Sequence, residues 1–193
     1  MESLQYSYSD QFHILRHFSQ IDEDYRIELK TNTGYTDEEI SAQLALTGSK
    51  FHPVFVSNPI QLWKKIQSHK KFIVPDTRDW KEDRFIVTLF YEQADYTGGI
   101  GEDSLIRLDN LLPAERALLK KQDRDGLFVN HVQTTRTNPT WQVNVVLWKE
   151  PELLVRTIFP GIYAPPFPNA ERQKETEMME SKGFWDQYAL NYL

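Results

Sequence analysis

The segment from Pro139 to Pro168, PTWQVNVVLWKEPELLVRTIFPGIYAPPFP, constrains the fold more than any other part of this chain. Its apolar pattern predicts two β-strands, Trp141 to Trp148 and Leu153 to Phe159, joined by a tight turn at Glu150-Pro151 and followed by a stiff proline-rich connector. A turn centred on that dipeptide pairs Asn144 with Thr157 and Val145 with Arg156. One face then carries Trp141, Val143, Val145, Leu147, Leu154 and Ile158, with Arg156 intruding on a core. The other carries Gln142, Asn144 and Thr157 beside Val146, Trp148 and Val155. An arginine on a core face must pair with a carboxylate, reach the sheet margin or hold an anion.

Upstream, further strands are expected at RFIVTLFYEQ, at Ser104 to Leu108 and at Leu127 to Thr134. Helices are expected over Asp10 to Phe18 and over TDEEISAQLALTG, where Thr36 and Glu39 form a capping box and Gly48 ends the element. Another starts at Asn58-Pro59 with Trp63 and Ile66 on its buried stripe, and a fourth spans PAERALLKKQ. Strands bunched late, three of them in hairpin-like succession, favour an α+β fold with a mostly antiparallel sheet covered by helices. The length suits a single domain over 1–193. Residues 169–193 are expected to form a C-terminal helical segment, interrupted near Gly183 and returning to the core through Trp185, Tyr188 and Leu190.

Composition removes whole classes of chemistry. The chain has no cysteine, which excludes disulfides, thiolate nucleophiles and sulfur-ligated zinc within it. Its net charge of -6 disfavours extended nucleic acid and anionic membrane as partners, leaving room only for a local basic site. The first residues, MESLQYSYSD, carry no basic segment and no apolar run, and no stretch is long enough to span a bilayer. A cytoplasmic protein without a membrane partner is the expectation.

Several clusters invite chemical readings. His13 and His17, with Asp10, have the one-turn spacing of a metal pair, yet no glutamate sits between the histidines as a zinc protease needs. The ordinary account places both on the helix's solvent side, and no metal or cofactor is expected. Thr97-Gly98-Gly99-Ile100-Gly101 lacks a following Lys-Ser/Thr and is trailed by Glu102-Asp103, so it reads as a flexible turn rather than a phosphate loop. The charges from Asp76 to Arg84 alternate in sign, as in a solvated loop. Between Gln61 and Pro75 lie Lys64, Lys65, His69, Lys70 and Lys71 without a carboxylate, a basic helix face with Trp63 packed inside.

The late sheet supplies the candidate site. His131, Arg136 and Arg156 are the candidate catalytic residues: an imidazole moves protons while guanidinium groups stabilise phosphorane charge. Gln142, Asn144 and Thr157 are the candidate ligand-binding residues, a polar floor among large apolar groups. The leading function is binding of a small molecule or anion in a pocket beside this sheet, the expected partner being a small anionic ligand. One alternative is a metal-independent, ribonuclease-like phosphodiesterase. Another is a protein-interaction module anchored by exposed aromatics such as Trp80, Trp148 and Phe184.

Over Leu127 to Pro160 the layout loosely resembles small metal-independent ribonuclease toxins, although those are usually basic. Over most of the chain, VPDTRDWKEDRFIVTLF, TGGIGEDSL, TWQVNVVLWKEP and RTIFPGIYAPPFP are similar to an uncharacterised family of small soluble proteins, a domain of unknown function. That resemblance implies no activity and transfers no functional residue.

Overall fold

The computed structural model describes residues 6–74, 83–124, 127–150, 152–166 and 175–191. Its contacts divide the chain into two compact units, Met1–Glu102 with Pro139–Gly161, and Asp103–Asn138 with Ile162–Leu193. Helices and mostly antiparallel strands make this an α+β fold. Among the described residues no helix is long and apolar enough to cross a membrane.

In the first unit, helices α1 (Tyr8–Ile14), α2 (Glu23–Thr33), α3 (Asp37–Leu44) and α4 (Pro59–Gln67) accompany two three-stranded sheets. One sheet runs in the order β2 (Arg84–Phe90), β8 (Gln142–Glu150), β9 (Glu152–Pro160), all antiparallel. The other is small, with β3 (Gly101–Glu102) between β1 (Lys50–Phe51) and β7 (Pro139–Thr140). Ile14, Phe18, Phe51, Phe55, Leu62 and Ile66 pack with Leu89, Val143, Val145, Leu147 and Ile158 in one core.

Caps fix the helix starts. Asn58 accepts from the Gln61 amide ahead of Pro59, and Thr36 and Glu39 close their capping box, both as the sequence predicts. Helix α2 has no counterpart in the sequence reading. Only Tyr25 and Leu29 are buried on it, too few apolar positions for a periodic signal, although Asp22 caps its start and Gly34, at φ 79°, its end.

The hairpin forms as expected, in a different register. Glu150 pairs with Glu152, making the turn one residue tighter, and a bulge between Leu147 and Val146 leaves Arg156 as the extra residue. The first shift moves Leu153 and Val155, rather than Leu154, onto the core face. The bulge adds a second shift, which returns Ile158 to the core opposite Val145 and keeps Thr157 on the face of Asn144. Arg156 therefore does not intrude on the core: its side chain is 53% exposed.

The Thr97–Gly101 segment is not a loose turn. Ile100 is fully buried, and Gly101 sits in β3 between Phe51 and Thr140. A Cβ on Gly101 would press into the Lys50 carbonyl oxygen, with the Pro160 side chain 3.1 Å away.

The second unit holds a four-stranded sheet in the order β4 (Leu105–Arg107), β10 (Tyr188–Asn191), β6 (Leu127–Val132), β5 (Lys120–Arg124). It also holds helices α5 (Pro113–Ala117) and α6 (Glu175–Trp185). Here the sequence misleads twice. The PAERALLKKQ helix stops at Ala117, because Lys120 onward pairs with β6, a case of tertiary pairing overriding helix propensity. Helix α6 runs through Gly183 without a break, and the chain then becomes β10, parallel to β6 and antiparallel to β4. Asn130 stitches this turn, donating to the Trp185 carbonyl at 3.1 Å.

Two outcomes test this account. Gly101→Ala lowers the denaturant midpoint sharply, because the intruding atom is backbone rather than a movable side chain; an unchanged midpoint would contradict the packing. His17 donates through Nδ1 to the Ser49 carbonyl at 2.9 Å, and burial pushes its imidazole down to about 3 from 6.5. The unfolded chain thus binds the extra proton between these values. The stability His17 confers is present above pH 6.5 and lost as pH falls toward 3. His17→Asn keeps a donor but cannot titrate, so urea midpoints of the variant fall less than wild type over that window.

Candidate functional site

Each residue nominated by the sequence has a definite place. His131, on β6, is 6% exposed and shares its face with Leu190 and Leu105. Arg136 grips Glu115 with two bonds, Nε to Oε1 at 3.1 Å and an Nη nitrogen to Oε2 at 3.0 Å, and donates to the Asn110 carbonyl at 2.9 Å. Glu115 also accepts from the Thr134 hydroxyl and the Leu112 amide. Arg136, Thr134 and that amide together hold the Glu115 carboxyl down to about 2. His131 and Arg136 both belong to the second unit, and Arg136 serves there as a clamp between α5 and the chain after β6.

The other four lie in the first unit. Arg156 reaches Asp10 at 3.5 Å and lies over the Trp148 ring at 5.0 Å. Asn144 is fully buried, accepting from Thr88 at 2.9 Å and donating to the Gly161 carbonyl at 2.6 Å. Gln142 donates to the same Asn144 oxygen at 3.3 Å. Thr157 shares that face opposite Val146, and its hydroxyl is buried without a hydrogen-bond partner among the described residues. The polar floor thus exists as a face, with Asn144 spent on holding strands together.

His13 is exposed, whereas His17 is spent on Ser49, and among the described residues no group of three metal-ligating side chains forms. Of the proposed interaction anchors, Phe184 stacks on Tyr188 at 4.4 Å between ring centres and Trp148 lies under Arg156. Trp80 falls outside the described residues, as does the whole charged stretch from Asp76 to Glu82.

An open cleft of about 370 Å³ lies elsewhere on the first unit. One wall is the turn after α4: Ser68, His69, Lys70 and Lys71, with Lys65 from the helix itself. The other is the chain leaving β2: Phe90, Tyr91, Glu92, Asp95 and Tyr96. His69 joins the walls. Its Nδ1 accepts from the Lys71 amide and its Nε2 bonds the Phe90 carbonyl, both at 3.2 Å, which requires the proton on Nε2. The Tyr91 amide donates to the Trp141 carbonyl at 2.8 Å, and the Trp141 indole donates to the Tyr96 carbonyl at 2.6 Å. Those two bonds pin the second wall to the start of β8.

Lys65 lies over the Phe55 ring at 4.8 Å and donates to the Tyr96 hydroxyl at 3.2 Å. With Lys64 it also opposes the partial negative charge at the carbonyl end of α4. Lys70, Lys71, Glu92 and Asp95 differ from it. All four are exposed, and among the described residues none of their side chains has a hydrogen bond or an ion pair. The Tyr91 hydroxyl is buried and has no hydrogen-bond partner among the described residues, and burial beside Tyr96 pushes it up to about 12, so it stays protonated. Phe90 adds an aromatic residue that is 57% exposed.

The basic run was legible as a run. Trp63 is packed inside as expected, against Phe72. What the sequence reading missed is the opposing wall, YEQADY after β2, whose only local signal is aromatic rings flanking carboxylates directly behind a strong strand.

No family model and no curated protein matches the chain. A solved structure of a conserved hypothetical protein from Toxoplasma gondii ME49 is similar at 10% identity and a TM-score of 0.40, covering 73% of this chain and 87% of that one.

The Arg136–Glu115 clamp has a pH signature. Arg136→Ala lowers the melting temperature at neutral pH. The gap from wild type narrows as pH falls from 4.5 toward 2, because protonating Glu115 removes the charge that Arg136 holds. Melting curves across that range check it, and a constant gap would deny the clamp.

Proposed function

We propose that the first unit binds a small anionic ligand in the cleft between the turn after α4 and the chain leaving β2. The observation that carries this reading is a contrast in how charges are used. Arg156 and Arg136 each face a carboxylate, and Lys50 is filled with carbonyls. Lys70 and Lys71 have exposed ammonium groups on the wall of a concave opening, with no partner among the described residues. Ammonium groups placed in this way can take an anion without first giving up an internal partner. The volume lies at the small end of ligand pockets, which span roughly 300–1,000 Å³.

This keeps the expected class, a small-molecule or anion binder with its pocket beside the late sheet, and moves the residues that do the binding. Phosphodiester cleavage draws on His131 with Arg136 or Arg156, and the two-bond grip of Arg136 on Glu115 and the pairing of Arg156 with Asp10 weigh against it.

Thermal shift with inorganic phosphate tests the reading. Binding only the folded state stabilises by about 2.7 kcal/mol at a hundredfold excess over Kd. Phosphate should raise the melting temperature of the wild type and of Lys64→Ala, whose side chain does not line the cleft. It should not raise that of Lys70→Ala/Lys71→Ala. An equal shift in the double variant, or none in the wild type, would contradict the proposal.

A further inference from the structure

The cleft is not uniformly basic, and that limits what can fill it. Glu92 and Asp95 face the same opening as Lys70 and Lys71, yet the two signs do not neutralise one another by pairing. A free inorganic anion would use the lysines and leave the carboxylates and Phe90 without a role. A polyphosphate or a nucleic-acid backbone would bring further negative charge against Glu92 and Asp95, where like charges repel. Carboxylates accept hydrogen bonds and cannot donate them, so the part of the ligand next to them must carry donors. Hydroxyl groups satisfy this without adding charge.

Phe90 supplies the third requirement. A large aromatic residue, 57% exposed and lining an opening, offers a flat apolar platform, and base-on-aromatic stacking needs only one open face.

We infer that the cleft is built for a ribonucleoside monophosphate: phosphate against Lys70 and Lys71, ribose hydroxyls against Glu92 and Asp95, and the base on Phe90. The inference rests on the anion-binding reading above and goes beyond it by fixing a single phosphate, a donor-rich middle and a flat end. Three lysines against two carboxylates leave the lining with only one net positive charge, which disfavours ligands with several phosphates.

Calorimetric titration of the full chain with inorganic phosphate, ribose 5-phosphate and adenosine 5′-monophosphate separates this inference from the reading beneath it. Affinity should rise in that order. Phe90→Ala should cut the preference for the nucleotide over ribose 5-phosphate by about tenfold, the scale of one stacking contact. Glu92→Gln/Asp95→Asn should cut the preference of both sugar phosphates over inorganic phosphate, since the amides no longer offer charged acceptors. All three side chains are exposed, so the variants keep their cores. Equal binding of the three ligands would overturn the nucleotide assignment and leave the anion pocket standing. Tighter binding of free tyrosine than of the nucleotide would overturn it in favour of a zwitterion. Failure of every phosphate compound to bind would remove both.

Discussion

One ammonium group holds the frame on which the cleft is mounted. Lys50 Nζ donates to the carbonyls of Arg16 at 2.6 Å, Leu44 at 2.8 Å and Phe18 at 3.2 Å, so its three protons meet three backbone acceptors. Two of those carbonyls end helical segments, the short 3-10 turn after α1 and helix α3, where a positive charge is favoured. Burial and the nearby Arg16 guanidinium push the ammonium down to about 8, and it remains charged at neutral pH. From this point β1 pairs with β3, β3 pairs with β7, and the chain between β2 and β3 is carried along. A lysine with a looser fit would leave carbonyls buried without donors, at about 1–3 kcal/mol each.

The charged and polar groups of this molecule differ in whether the fold already uses them. Arg136, Arg156, His17 and Lys50 look reactive as residue types, and each is committed to a carboxylate or a carbonyl. Asn144 resembles a ligand contact and is a strand tie. The cleft shows the reverse. Its lysines and acids resemble ordinary surface charge, but they face a concavity whose walls are fixed by the His69 and Trp141 bonds. Preorganised walls reduce the ordering cost of binding, which separates a pocket from a patch of charge.

The hairpin and the α+β class were legible because they depend on local patterning and turn chemistry. Register was not, since a one-residue turn and a bulge at Arg156 are decided by packing against β2 and the core. The terminal β10 was hidden because its partners, β6 and β4, lie far away in sequence, whereas α5 was cut short by a hairpin pairing of the next residues with β6 that their helix-favouring composition masks. Helix α2 went unseen because two buried residues make too narrow a stripe. The candidate site was half legible. Lys70 and Lys71 stood out as part of a basic run, but only the fold brings Glu92 and Asp95, over twenty positions later, to the same opening.

The central claim is that ligand chemistry belongs to this cleft rather than to the arginines of the late sheet. A two-dimensional amide spectrum recorded through a titration with adenosine 5′-monophosphate addresses it directly. Shift changes confined to residues 65–71 and 90–96, saturating together, are the predicted result. Changes centred on His131 and Arg136, or on Arg156 and Thr157, with the cleft silent, would contradict it.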